Sequence, residues 1–560
     1  MIVYVRILYL LISKGVIMKK NLITIIGLLA AAVGLNAADG TVSLSTGYPG
    51  GNLQIIKQDP GQVEINADLR DSAEWFYWNF DAEATQAGTV RFVFPEKKWR
   101  ISAQGPAYST DGGETWQWLG REKVKYINKE NTRDSFEWTF KTVGEKVRFA
   151  QGIPYQKKNF DDFIAKHQSS PYLKQQILTK TRKGVDTPLL VIGSGEKNIL
   201  ITARHHSCEA MASYAFEGFL SEALSDSPAG KEFRDKYTLY AVPFMDLDGV
   251  EAGDQGKGRK PHDHNRDYAL GDAAIYPEVK AVINLDKEKK FFVTLDFHAP
   301  ALRNDIHEVI YFAGYVTPSN KVNTLEFKSW LDDERPANTG MIPVLGSKSV
   351  PTPNGKDGVA NALYFAVNPT TVYGTTIEFA YAASGNIHYD HTVVREYGIS
   401  ILKALLKTDF SKDLTPRTAY KKYAEFKKSI NIGRPDHAVE KCTEVLLQSD
   451  LPVHYHTAAL VQRAFSYARM RNYKNALADN EAVIASPNAI RQQKYSAIVQ
   501  KSQVLCTDPA VLYADAEAWL KKVLDEQLVA DSYLYNVCDT YYDYLKKNGK
   551  NEMAHEIAKI

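Results

Sequence analysis

His206 and Glu209 lie three residues apart within Ile199–Leu220, ILITARHHSCEAMASYAFEGFL, and offer an imidazole nitrogen and a carboxylate oxygen. Those are ligand types of catalytic zinc sites, which keep one coordination position open for water. Phe291–Pro300, FFVTLDFHAP, adds His298 just past an apolar run, with Asp296 two residues before it. The three make a His₂Glu set, and Asp296 could support the site from behind His298. Singly each signal is weak. H-x-x-E recurs by chance, and a lone histidine is more often hydrogen-bonded into a core. Glu378 stands in Thr375–Tyr381, TTIEFAY, an otherwise apolar run. A buried carboxylate is costly unless it is paired or functional. Beside a metal site it could take a proton from water and pass it to a leaving amine; a structural salt bridge is the alternative. Met245–Tyr268, MDLDGVEAGDQGKGRKPHDHNRDY, concentrates Arg259, Asn265 and Arg266. Guanidinium forks and amides suit a substrate carboxylate, although a solvated turn would have the same composition.

These residues need elements to hold them. Residues 161–410 alternate apolar strands (Leu189–Ile192, Ile199–Ile201, Leu239–Pro243, Phe291–Leu295, Thr375–Phe379) with longer helical patterns. That is an α/β pattern with a mixed or largely parallel sheet, whose ligands bind at loops beyond strand ends. His206 and His298 both follow predicted strands. An amphipathic helix carrying Met211, Tyr214, Ala215, Gly218 and Phe219 follows Glu209.

Two regions of different character flank this one. Residues 38–160 carry short aromatic-polar runs, such as Glu74–Phe80, Thr89–Phe94, Ser135–Phe140 and Lys146–Ala150, separated by turn signals. The pattern predicts an all-β sandwich with no ligand or catalytic group. Ser411–Pro416 reads as a linker, and residues 417–560 as wholly helical. Within His456–Pro487, Ala464, Tyr467, Tyr473, Ala476 and Leu477 resemble a tetratricopeptide repeat, with Ala438 and Val439 in a degenerate copy before it. An irregular helical cap is the alternative. The repeat reading implies a surface for a protein partner.

Residues 1–37 read as an upstream extension and a signal peptide. Met18-Lys19-Lys20 precedes the apolar stretch Leu22–Leu35, with a cleavage point before Ala38. The mature protein is therefore expected to be exported, periplasmic or extracellular, with no stable membrane insertion. The 560-residue chain is 44% apolar and 24% charged with a net charge of +2, a composition that implies several soluble domains and no nucleic-acid partner. Of its four cysteines, Cys208 lies inside the loop of His206 and Glu209, while Cys442, Cys506 and Cys538 lack zinc-type spacing and leave room for one bridge.

In order along the chain, the motifs resemble those of the M14 zinc carboxypeptidases, nearest the cytosolic-carboxypeptidase-like branch. Thr202–Glu209, TARHHSCE, is similar to the branch's T-A-R-x-H-P-G-E, and this alignment selects His206 over His205 as ligand. Asp246–Val250 and Asp263–Arg266 resemble its N-P-D-G-V and D-L-N-R, and Val147–Tyr155 resembles an aromatic segment that ends its N-terminal β-sandwich. Ser207-Cys208 replaces Pro-Gly, and the loop before Asn265 is altered. The resemblance implies an α/β/α zinc carboxypeptidase domain and one zinc ion per chain on His206, Glu209 and His298. It further implies Glu378 as general base, Arg259 (or else Lys257) polarising the scissile carbonyl, and Asn265 and Arg266 holding the C-terminus of a peptide. Zinc amidases, deacylases and cell-wall peptide carboxypeptidases are the neighbouring readings. An inert binding scaffold is the reading furthest from these.

Overall fold

The computed structural model describes residues 40–300, 310–313, 318–336, 339, 342, 360–410, 434–448 and 453–558. Gaps fall at 73–74, 96–99, 103, 126–132, 269–272, 385–386, 487–488, 490 and 530. The expected signal peptide and the Ser411–Pro416 linker lie outside the described residues.

The central region is built on a seven-stranded mixed sheet. Its strands are β11 (Leu173–Lys180), β12 (Asp186–Ile192), β13 (Lys197–Ala203), β14 (Tyr237–Val242), β15 (Val293–His298), β16 (Tyr311–Phe312) and β17 (Tyr373–Glu378), in the order 11-12-14-13-15-17-16. The inner strands β14, β13, β15 and β17 run parallel, and antiparallel neighbours close both edges. Parallel strands covered on both faces must be apolar throughout, which explains the continuous runs in β13 and β15. The helices are α1 (Lys157–His167), α2 (Ala210–Leu224), α3 (Pro228–Lys236), α4 (Leu247–Ala252), α5 (Pro277–Lys289), α6 (Pro318–Glu334), α7 (Asn361–Val367) and α8 (His391–Lys407). Helices α2 and α8 touch backbone to backbone. A Cβ on Gly218 would lie 1.9 Å from Arg395 O, and one on Gly398 2.0 Å from Ala215 O. Glycine at both positions lets α2, which begins directly after Glu209, sit this close to its neighbour.

Before this region come two five-stranded sheets. One holds β1 (Thr41–Ser45), β4 (Asn79–Gln86), β6 (Ala107–Ser109), β7 (Gln117–Trp118) and β10 (Lys146–Ala150). The other holds β2 (Gln54–Asp59), β3 (Gln62–Asn66), β5 (Gly88–Pro95), β8 (Val124–Lys125) and β9 (Arg133–Phe140). Val42, Phe80 and Phe149 from the first pack with Val63, Phe92 and Phe136 from the second in one buried cluster. The expected strand at Glu74–Phe80 begins only at Asn79. Before it, the backbone N–H and C=O of Tyr77 bond to the side chain of Gln255, both at 2.8 Å, and so pair with no neighbouring strand.

The C-terminal region is helical: α9 (Pro435–Leu446), α10 (Val453–Arg469), α11 (Tyr473–Ala485), α12 (Arg491–Thr507), α13 (Tyr513–Asp525), α14 (Asp531–Lys547) and α15 (Asn551–Ile557). Ala438, Ala464 and Ala476 are buried where neighbouring helices pack. None of the four cysteines is in a disulfide. Among the described residues no helix is long and apolar enough to cross a membrane.

Candidate metal centre

Strand β13 ends at Ala203, and the chain turns at Arg204 with φ of 62°. A left-handed arginine is costly, and this one is held by its own buried guanidinium. It donates to Tyr155 O at 2.9 Å, to Ser213 Oγ at 3.0 Å, and to Ser207 O. The turn brings His206 and Glu209 to the C-terminal end of the sheet. There β15 delivers His298, because β13 and β15 run parallel and in register from Ile199 opposite Val293.

The three expected ligands converge. His206 Nδ1 lies 2.8 Å from Glu209 Oε1, His298 Nδ1 lies 2.8 Å from Glu209 Oε2, and the two Nδ1 atoms are 3.1 Å apart. All three side chains are buried. Two imidazole nitrogens this close, aimed at one carboxylate, set lone pair against lone pair unless a cation or a proton lies between them. This donor set fits zinc. A carboxylate also backs each ring. His298 Nε2 meets Asp296 Oδ2 at 2.6 Å, and His206 Nε2 faces Asp263 Oδ1 at 3.7 Å. The bond to Asp296 fixes which His298 nitrogen is left for a metal, whereas Asp263 stands beyond hydrogen-bond reach of His206. Asp263 was not singled out as a partner from the sequence. Its only signal there is its place in the Asp263–Arg266 motif.

The neighbouring charges shift ionisation. Burial alone would raise the carboxyl of Glu209, but His206 and His298 overcome it and hold it well below the usual range. Asp263 is likewise held low, with burial opposed by His206.

Glu378 ends β17, its Cα in register with that of His298 on β15. Its Oε2 is buried and meets no hydrogen-bond partner among the described residues. Burial pushes this carboxyl above the ordinary glutamate value; His298 opposes the rise and Glu209 adds to it. The alternative of a structural salt bridge finds no support, since Glu378 forms no ion pair among the described residues.

The loop after α4 departs from expectation at one position. Arg259 does not present a free guanidinium. It is buried, with Asp246 at 2.6 Å, Asp254 at 2.9 Å and Asp71 at 3.0 Å. Three carboxylates engage its three nitrogens, so it pins the loop, and the role expected of it at the carbonyl is revised. The cation that approaches the ligands is Lys257, whose Nζ lies 3.5 Å from His206 Nδ1 and 5.5 Å from the centre of the Trp75 ring. Asn265 is buried beside His298, with its Nδ2 3.5 Å from His298 Nε2, and its Oδ1 accepts the backbone N–H of Asn361 at 2.9 Å. Arg266 is half-buried and forms no ion pair among the described residues, leaving its guanidinium for a ligand.

Residues 162–303 match the zinc carboxypeptidase family, Peptidase_M14. The chain carries an M14 zinc carboxypeptidase domain. The M14 domain matches curated relatives at modest identity. Cytosolic carboxypeptidase 3 of Mus musculus is 26% identical over 303 residues, 48% of this chain and 30% of that protein. Cytosolic carboxypeptidase 2 of Homo sapiens is 26% identical over 306 residues, 48% of this chain and 34% of that protein. The chain therefore spans about a third of the length of these relatives. In fold it is similar to a metallo-carboxypeptidase from Burkholderia cenocepacia (TM-score 0.56, 18% identity, covering 66% of this chain and 98% of that one). It is also similar to a putative carboxypeptidase A from Shewanella denitrificans OS-217 (TM-score 0.55, 22% identity, covering 65% and 98%). The M14 family is zinc-dependent, in keeping with the three converging ligands.

Proposed function

We propose that this protein is a zinc-dependent metallocarboxypeptidase that removes C-terminal residues from peptides. The observation that carries the reading is the cluster of His206, Glu209 and His298 with the unpartnered, buried oxygen of Glu378 beside it. Zinc held by the three ligands would act as a Lewis acid toward a carbonyl and lower the pKa of water. Glu378 takes the proton of the attacking water and returns it to the amine that leaves. Burial holds its carboxyl above the ordinary glutamate value, which favours its taking up a proton. Lys257 provides positive charge for the oxyanion in place of Arg259. Arg266, with the amide of Asn265, holds the terminal carboxylate and restricts attack to the last peptide bond.

The flanking regions extend the proposal. The two N-terminal sheets form a β-sandwich, since aromatic side chains from both fill one cluster. The helix-turn-helix of α10 and α11, with its buried alanines, is tetratricopeptide-like and offers a face to a protein partner. Export follows from Met18–Leu35 and is checked by sequencing the N-terminus of the mature protein.

The test of the activity is a pair of short peptides that differ only in a free or amidated C-terminus. Rapid loss of the last residue from the free acid, at least about a hundredfold faster than from the amide, supports the reading. Equal cleavage of the amide, or cleavage of internal bonds, replaces it with an amidase or deacylase.

A further inference from the structure

Behind the candidate ligands lies a buried polar chain that the proposed chemistry does not use. His205, next to the expected ligand His206, is completely buried. Its Nδ1 is 2.8 Å from Asp296 Oδ1, a close contact out of line for a hydrogen bond, and its Nε2 is 2.9 Å from the hydroxyl of Tyr268. That hydroxyl in turn accepts from Asn361 Nδ2 at 2.9 Å. Asp296 also accepts from Thr202 Oγ1 at 2.8 Å, and its second oxygen meets His298 Nε2 at 2.6 Å. Thr202, Asp296, Tyr268 and Asn361 are all buried.

The direction of this chain can be worked out from its end. An amide nitrogen only donates, so Asn361 gives a proton to the Tyr268 oxygen. The Tyr268 hydroxyl keeps its own proton, which it can donate to His205 Nε2. With that donation, neutral His205 carries its proton on Nδ1, the nitrogen nearest Asp296. Asp296, a carboxylate, accepts from His298 on one oxygen and lies against His205 Nδ1 with the other. His298 thus keeps its proton on Nε2, and its Nδ1 lone pair is aimed at Glu209 and His206. A second branch leaves the same residue: the backbone N–H of Asn361 donates to Asn265 Oδ1 at 2.9 Å.

We propose that His205 and Tyr268 are positioning residues for the metal centre. With Asp296 and Asn361 they form a buried chain of polar contacts that holds the Asp296 carboxylate against His298, and so orients that ring, and that ties them to the segment bearing Asn265. The inference rests on the reading of His206, Glu209 and His298 as zinc ligands. The chain spans the end of β13, strand β15, the loop ending at Tyr268 and the start of α7, so it fastens together four pieces of backbone around the centre. A hydrophobic residue at 205 would leave Asp296 with a buried lone pair and Tyr268 with a buried hydroxyl, each costly in the interior.

The experiment is zinc affinity, measured by competition with a chromophoric chelator, alongside the thermal midpoint of each variant. Tyr268→Phe removes one oxygen and keeps a ring that packs on Tyr364 and Phe365. Outer partners of metal ligands set affinity by about ten- to a hundredfold, so the chain predicts weakening of about tenfold in Tyr268→Phe. Asn361→Ala, which removes the donor at the far end, weakens binding in the same direction and decides the matter should Tyr268→Phe not fold. A folded variant with lower thermal stability but wild-type zinc affinity overturns the proposal, because a merely structural hydroxyl would behave that way. Full-length protein that binds no zinc at all would overturn the reading of the ligands, and the relay with it. Wild-type binding that is lost in His298→Ala but unaltered in both relay variants would overturn the relay alone.

Discussion

The regions on either side of the catalytic domain are joined to it in different ways. The N-terminal sheets share its core: Phe76, Ala107, Ile153 and Tyr155 belong to the same buried cluster as Ile201 of β13 and Met211 of α2. Polar contacts cross the same boundary. Asn52 Nδ2 donates to Gly253 O at 2.8 Å, Arg70 pairs with Asp254 at 2.6 Å, Asp71 meets Arg259, and Gln255 clasps Tyr77. Every one of these contacts ends on residues 253–259, the loop that carries Lys257. The C-terminal helices instead build clusters of their own, which contain no residue of the catalytic domain. Among the described residues they meet that domain where α12 lies against α6. A shared core and buried polar pairs make one flank part of the site's frame. A separate core and a limited contact make the other an attachment.

Gln255→Ala probes this difference with the largest expected effect. It strands the buried N–H and C=O of Tyr77, at about 1–3 kcal/mol for each unsatisfied group. Stability in urea should fall by several kcal/mol, and turnover by about tenfold or more as Lys257 shifts. Unchanged stability would mean that the N-terminal sheets are not a brace. A smaller effect is expected at Glu278, which lies within the catalytic domain with its Oε2 4.0 Å from His264 Nε2. Burial pushes its carboxyl up to about 7, with Asp246 and Asp248 adding to the rise. The folded state therefore binds a proton that the unfolded chain releases near its ordinary value. The resulting stability is complete at pH below the unfolded value and is lost as pH rises toward 7, by about 3 kcal/mol at most. Glu278→Gln should remove that decline, and a pH-stability curve that keeps it would place the titrating group elsewhere. The smallest effect is expected from removing the C-terminal helices. A chain ending near Ser411 should retain zinc and cleave short peptides within about twofold of the full chain, as distant, separately packed regions do. A folded, zinc-loaded truncation with no activity would show that the helices complete the site, and would dissolve the contrast between the flanks.

Much of the site was legible in the sequence because ligand chemistry is local to strand ends. His206, Glu209 and His298 each follow an apolar run, and the sheet brings such ends together. Glu378 stood out as a charge in an apolar strand. The engagement of Arg259 is not legible in the sequence because its partners, Asp71, Asp246 and Asp254, are spread over 184 positions of chain, and no spacing rule links them. His205 and Tyr268 were invisible for the same reason, since each makes sense only through a contact across the fold. The aromatic run at Glu74–Phe80 looked like a strand because aromatics favour sheets. Its backbone instead pairs with a glutamine side chain from another domain, a partner that propensity does not see.

The account stands on zinc held by His206, Glu209 and His298. Its most direct test is the metal content of purified protein by mass spectrometry, for the full chain and for His206→Ala and His298→Ala. About one zinc per chain in the wild type, and little or none in either variant, is the predicted result. Full zinc occupancy in either variant, with the fold intact, would contradict it.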